Sequence, residues 1–285
     1  MSTSDGPTSA GHAADASSAR QGQLDSAAAR TLFGRRTAAI DAAHLVPHLQ
    51  PGMRVIDFGC GQGSLTFGFA ALVAPGQVVG IDIAEASIAQ AQAQAEELGV
   101  TNLQFRVGDI YETQFADESF DVAHFSGVLA YQRDPLATLR VAHRALKPGG
   151  LIAAREPQKD GDWIAGPHRE ALTLFNSLVI EDAFKSVGGD AFIGRRLGTL
   201  LRDAGFERLE ITPAYALTFS NARALAGWAL ARLADGEFAE RVVRRGWISA
   251  EEMADLPKSI ETWGNDETSV VAAAECMVLG WKHSA

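Results

Sequence analysis

Between Met53 and Glu156 the chain alternates two patterns of apolar residues. Short, dense runs rich in β-branched and aromatic residues ("MRVIDF", "QVVGIDI", "LQFRVGDI", "FDVAHFS" and "LIAARE") have the length of strands buried on both faces. The stretches between them carry apolar residues every three or four positions, which is helical spacing. "SLTFGFAALVA" reads as a helix that stops at Pro75-Gly76. "EASIAQAQAQAEELG" sets Ile88, Ala91, Ala95 and Leu98 inward and ends at Gly99. "DPLATLRVAHRALKPGG" groups Leu139, Ala142 and Leu146, with Asp134 as N-cap and Pro135 in the first turn. This alternation predicts a parallel sheet covered by helices on both sides.

The flanks differ. Leu24 to Leu49 reads as one helix, with Leu32, Ala39, Ala43 and Val46 on one face, ended by Pro51-Gly52. After Glu156, "HREALTLFNSLVIEDAFK" and "GRRLGTLLRDAGF" read as helices and "ERLEITPAYAL" as a sixth strand. "SNARALAGWALARLA" is a helix with Leu225, Trp228, Ala229 and Leu233 inward. "ISAEEMADL" opens another, with a capping box from Ser249 to Glu252 and Ile248 and Met253 placed to staple it. "SVVAAAECMVLGWK" reads as the last strand. The segment between strands six and seven, about fifty residues, is too long for a hairpin loop and reads as a helical insertion. The expected fold is therefore α/β: a doubly wound, mostly parallel seven-stranded sheet with an N-terminal helix and a helical insertion between strands six and seven.

Composition narrows the function. A net charge of −10 argues against a nucleic-acid partner, which calls for a basic face. Cys60 and Cys276 are the only cysteines, so no disulfide framework is expected and a reducing cytoplasm fits. Neither a metal site nor a membrane span is expected: Cys and His lack ligand spacing, and uninterrupted apolar runs are too short. Residues 1–23 lack both the charged start and the apolar stretch of a secretory signal, and read as a disordered tail. A small-molecule substrate is the expected partner, and a homodimer is compatible with the chain.

In such a sheet, ligands bind outside the carboxyl ends of the strands. The strand-ending residues are Asp57, Asp82, Asp109, Ser126 and Glu156. "VIDFGCGQGSLT" places Gly59, Gly61 and Gly63 between the first strand and its helix. Glycine there lets the backbone lie against a ligand, and the helix start offers unsatisfied N–H groups. A nicotinamide dinucleotide loop, G-x-G-x-x-G/A, would use the same device; Gly59 and Gly61 match it, but Ser64 stands where the third small residue belongs. Taken alone, the loop leaves both readings open.

Asp82 follows Gly63 by nineteen residues, where a carboxylate can accept ribose hydroxyls, and Asp109 in "VGDI" can meet an adenine amine between Ile83 and Ile110. With these, "VIDFGCGQGSLT", "VVGIDIAEASI", "FRVGDI", "SFDVAHFSGVLAYQRDP" and "ALKPGGLIAARE" resemble, in order and spacing, the motifs of class I S-adenosylmethionine-dependent methyltransferases. The resemblance is firm over Met53 to Glu156. It points to the small-molecule branch similar to ubiquinone and menaquinone methyltransferases. It implies S-adenosyl-L-methionine as cofactor, with Asp57 orienting the loop and the methionine end, and Gly59, Gly61 and Gly63 forming the loop. Asp82 would hold the ribose, Gly108 and Asp109 the adenine, and Ser126 the neighbourhood of the methionine ammonium. Relatives often carry "L-x-H-x-x-D-P" after strand four; here Tyr131 replaces the His.

Within that reading residues 24–285 form one domain: a lid helix (24–50), a cofactor core (51–156) and helical substrate-cap segments (157–205 and 217–265). Methyl transfer from a sulfonium needs positioning and exclusion of water; a base is needed only where the acceptor must lose a proton. Candidate bases are Glu156, His168, Glu170 and His124. Trp163 and Trp228 are candidates for an apolar substrate pocket. Among the pairs Arg35-Arg36, Arg195-Arg196 and Arg244-Arg245, Arg36 is the choice for gripping an anionic group. The acceptor, O, N or C, is expected to sit on a small apolar, aromatic or isoprenoid-like metabolite. The alternative from another class is a cofactor-binding scaffold for a pericyclic or isomerising reaction, which does not methylate.

Overall fold

The computed structural model describes residues 34–216 and 221–284. The expected tail, and residues 24–33 of the expected N-terminal helix, lie outside the described residues. The parallel strands are β1 (Val55–Phe58), β2 (Val78–Asp82), β3 (Leu103–Val107), β4 (Phe120–Ser126) and β5 (Leu146–Pro157), in the order β3-β2-β1-β4-β5. Strand β8 (Val270–Lys282) adds antiparallel to β5, and β7 (Phe206–Ala216) adds antiparallel to β8. An eighth strand, β6 (Trp163–Ala165), pairs with Val270–Ala272. Three residues are too few to show a period, so β6 was not legible in the sequence.

The helices follow the apolar pattern. Helix α1 (Ala38–Asp41) precedes β1, and α2 (Thr66–Val73) and α3 (Glu85–Glu97) follow β1 and β2. Helix α4 (Pro135–Ala145) starts at Asp134, whose side chain accepts the N–H of Ala137 at 2.9 Å. Leu139, Ala142 and Leu146 are fully buried beneath it. Leu98 departs from the expectation: it follows the last turn of α3, where Gly99 ends the helix, and it is exposed. The expected long N-terminal helix is, over its described part, the single turn α1 and a 3-10 turn at Val46–His48. Pro47 supplies no N–H to continue a helix, and Asp41 turns inward to a buried arginine.

Apolar side chains cover both faces of the sheet. Phe69 and Val73 of α2 pack on one face, and Leu139 with Leu197 and Leu201 of α6 (Leu197–Asp203) on the other. The remaining helices, α5 (Arg169–Val179), α7 (Ala222–Leu233), α8 (Gly236–Arg244) and α9 (Ala250–Asn265), build a core of their own around Phe175, Phe238, Ile260 and Trp263. The Ser249–Glu252 capping box starts α9. The indole N–H of Trp263 donates to the Ala165 carbonyl at 2.8 Å and ties this core to β6.

One buried carboxylate joins three of these helical segments. Asp182, in the turn that continues α5, accepts from Nε and Nη2 of Arg241 at 2.6 and 3.0 Å and from Nη2 of Arg232 at 3.3 Å. Arg232 is itself buried; its guanidinium lies over the Phe238 ring, 4.8 Å from the centroid, and Asp235, at 3.6 Å, is its other carboxylate partner among the described residues. Replacing Asp182 by Ala leaves that guanidinium undercompensated in a low-dielectric site. The expected loss is about 3 kcal/mol, measured by urea unfolding.

Candidate active site

The strand order reverses between β1 and β4, which leaves a crevice at their carboxyl ends. Asp57, near the end of β1, is buried there. Its Oδ2 accepts the hydroxyl of Thr66 at 2.7 Å, and its Oδ1 lies 2.7 Å from Nδ1 of His124, its register partner on β4. His124 is fully buried and also meets the Phe69 ring edge-on. It stands behind Asp57 and, unlike Asp57, does not line the pocket, where the base considered from sequence would have to stand.

All three loop glycines have positive φ, at +69° (Gly59), +54° (Gly61) and +83° (Gly63). Their surroundings differ. A Cβ on Gly59 would sit 2.3 Å from a Val128 methyl, and one on Gly63 would sit 2.6 Å from the Phe105 ring. A Cβ on Gly61 would meet nothing within 4 Å. Close packing of the protein thus accounts for two glycines, and open space beside the backbone is left at the third. Gly63 does not line the pocket; Gly59 and Gly61 do.

The next two strand ends complete the floor. Asp82 accepts the N–H of Gly61 at 2.7 Å and of Ala84 at 2.9 Å, so one carboxylate fixes both the glycine loop and the start of α3. Asp109 accepts the N–H of Tyr111 at 2.8 Å. Ile83, Gly108, Asp109 and Ile110 all line the pocket, as do Ser126, Gly127 and Val128 from the end of β4.

Arg36 closes the end of the pocket lined by Ser126. It lines the pocket, hydrogen-bonds the Ser126 hydroxyl, and lies 3.7 Å from Asp41. Burial and the nearby Arg155 guanidinium pull its pKa down, while Asp41, Glu275 and Asp57 oppose them. Arg155, buried on β5, bridges Asp41 at 3.1 Å and Glu275 of β8 at 2.5 Å. These four residues, Asp41 and Arg155 buried and Arg36 and Glu275 partly so, form a set of two cations and two anions that pins the N-terminal segment to the sheet.

Several expected residues lie elsewhere. Glu156 is buried at the end of β5 with both oxygens turned to backbone N–H groups, and it does not line the pocket. His168 is exposed at the start of α5, and Glu170 is exposed beside Arg169. Trp163 on β6 is exposed, and Trp228 packs edge-on against Phe175 in the helical core. None of these lines the pocket. Conversely, Cys60, Gln62, Ser87, Tyr131 and Gln132 line it without having been singled out as site residues. Tyr131, flagged only as a departure from "L-x-H-x-x-D-P", stacks on Phe184 with centroids 4.5 Å apart. Arg155 left one signal, a charged pair with Glu156 ending an apolar strand.

A family model described as a methyltransferase domain matches residues 49–205. The chain belongs to the class I S-adenosylmethionine-dependent methyltransferases. It is 28% identical over 275 residues to the probable methyltransferase ltbC of Aspergillus luteorubrus, covering 87% of this chain and 92% of that one. It is 33% identical over 194 residues to the nocamycin O-methyltransferase of Saccharothrix syringae, covering 63% and 68%. The solved phosphoethanolamine N-methyltransferase 2 of Haemonchus contortus, in complex with S-adenosyl-L-methionine, superposes with a TM-score of 0.58 at 18% identity, over 93% of this chain and 60% of that one. This last likeness concerns the fold.

The pocket fits the cofactor of this methyltransferase family. It offers open backbone at Gly61, carboxylates at two strand ends, two isoleucines beside Asp109, and a cation at the opposite end. Gly61→Ala is expected to cost about 1 kcal/mol of stability, the price of a left-handed alanine, and to abolish S-adenosylhomocysteine binding. Gly59→Ala, with a backbone strain of the same kind plus the Val128 clash, is expected to lose more stability. Thermal melts and calorimetric titration of the two variants check the contrast.

Proposed function

We propose that the protein methylates a small apolar or aromatic metabolite at an atom that is already nucleophilic on arrival, an acidic enol or phenol oxygen. The observation carrying this reading is the lack of a general base among the described residues that line the pocket. Its carboxylates are Asp57, Asp82 and Asp109, each accepting protein N–H or O–H groups. Burial pushes the Cys60 thiol well above its ordinary range, and burial with the Glu156 charge pushes the Tyr131 phenol up. Neither supplies a base near neutral pH. The O-methyltransferase among the relatives supports the same reading.

The cofactor, when bound, supplies an electrophilic sulfonium methyl. The protein's part is orientation. In this reading Asp82 accepts from the ribose hydroxyls, Asp109 from the adenine amine, and Ile83 and Ile110 hold the ring. Arg36, at the far end with Ser126, takes the carboxylate of the methionine moiety rather than the substrate. Tyr131, backed by the stacked Phe184, borders the acceptor's side of the pocket and helps exclude water. The helical segments around Phe175 and Trp263 serve as the cap that admits the acceptor, and Trp163 and Trp228 support that cap.

Labelled S-adenosyl-L-methionine incubated with phenols and enols of graded acidity tests this. Methyl transfer is expected to follow the ionised fraction of the acceptor as pH rises. Equal turnover of acceptors regardless of acidity would rule out the base-free reading. Binding of the cofactor with no transfer to any acceptor would favour the non-methylating scaffold. Arg36→Ala is expected to weaken S-adenosyl-L-methionine binding by about ten- to a hundredfold, the loss of one charged hydrogen-bonded contact.

A further inference from the structure

Glu156 is 1% exposed, yet it does not line the pocket and forms no salt bridge with a cation among the described residues. Its Oε1 accepts the N–H groups of Val128 and Leu129, both at 2.9 Å, and its Oε2 accepts the N–H of Ala130 at 3.1 Å. These are the donors at the entrance of the 3-10 turn Leu129–Tyr131, where no side chain of the turn itself caps them. A single carboxylate on β5 therefore fixes the backbone that follows β4. That backbone, 126–132, gives the pocket Ser126, Gly127, Val128, Tyr131 and Gln132. We propose that Glu156 is a positioning residue: its carboxylate clamps the 126–132 segment into the shape that the cofactor pocket requires. The proposal rests on the reading of this pocket as the cofactor site.

A purely structural role is disfavoured by the cost of the arrangement. Around the carboxyl stand Glu275 and Cys276 of β8 and the Tyr131 phenol, and neighbouring Arg155 is turned to Asp41 and Glu275. Burial, with a smaller contribution from the Glu275 charge, raises the Glu156 pKa from 4.5 to about 7 against the three N–H groups that lower it. The folded chain therefore holds this proton more tightly than the unfolded chain. Stability falls as pH rises from about 4.5 to about 7, and the ionised form at pH 8 is the less stable one. A group that lowers stability at working pH while ordering one wall of a site fits a functional demand.

The test uses Glu156→Gln in the full chain. The amide oxygen can still accept from Val128 and Leu129, but the amide NH2 faces the Ala130 N–H, donor against donor. At pH 8 the variant is expected to melt at or above the wild-type temperature and to bind S-adenosylhomocysteine about tenfold more weakly. Wild-type affinity is expected to fall as pH drops through about 7, and the variant's to stay flat. Wild-type affinity in Glu156→Gln, or a lower melting temperature, overturns the proposal. Should the variant yield no soluble protein to melt, amide exchange on the wild type decides. Protection at Val128, Leu129 and Ala130, corrected for intrinsic rates, is expected to fall at least fivefold, roughly, between pH 8 and pH 6 relative to β4. Unchanged protection overturns it. Wild type that binds no S-adenosylhomocysteine overturns the cofactor reading alone, since exchange still reads the clamp.

Discussion

The carboxyl edge of the parallel sheet gathers charged side chains that the fold then buries, and each must be given a partner. An ionised group taken out of water without compensation costs several kcal/mol. Asp57 meets Thr66 and His124, Asp82 meets two backbone N–H groups, Arg155 meets Asp41 and Glu275, and Glu156 meets three N–H groups. The partners of Asp57 lie on α2 and β4; those of the other three are loop backbones and the segments around Asp41 and Glu275. Satisfying the strand-end charges therefore dictates where the loops go. The pocket is the space those satisfied loops enclose.

Two of the partnerships act over long sequence distances. Arg155 brings in Asp41 from the N-terminal segment and Glu275 from the last strand, and Arg36 follows Asp41 into the pocket. The cation at the end of the pocket is thus held by a cluster whose other members never face it. Glu156, one residue further along β5, reaches the opposite way, to the turn after β4. Successive side chains of a strand point to opposite faces. The adjacent pair Arg155-Glu156 therefore ties the two sides of the site to one strand.

This explains what the sequence could and could not show. The parallel strands and their helices were legible because burial on both faces writes dense apolar runs separated by helical periods. The floor of the pocket was legible too, because Asp57, Gly61, Asp82 and Asp109 lie at fixed places relative to those strands. What lies opposite the floor was not. Trp163 and Trp228 look like pocket aromatics by composition, and only three-dimensional packing puts one on an exposed strand and the other against Phe175. Glu156 read as a base because a carboxylate at a strand end has the chemistry of one. Nothing in the one-dimensional pattern reveals that three N–H groups, some twenty-seven residues earlier in the chain, already occupy it. Asp41 was missed for the same reason, since its partner is 114 residues away.

The glycine loop carries the same distinction to a single motif. Three glycines invite one explanation, approach of a ligand to bare backbone. The structure divides them: positive φ requires all three, protein packing crowds Gly59 and Gly63, and open space remains only beside Gly61. A motif can be specific for a family while only one of its small residues is small for the ligand's sake. The same reasoning applies to the carboxylates around it, whose hydrogen bonds to protein backbone shape the pocket before any substrate arrives. Chemistry that depends on placement rather than proton transfer can be served by such a site. In the reading proposed above, its carboxylates are committed to geometry, and the nucleophile is left for the acceptor to bring.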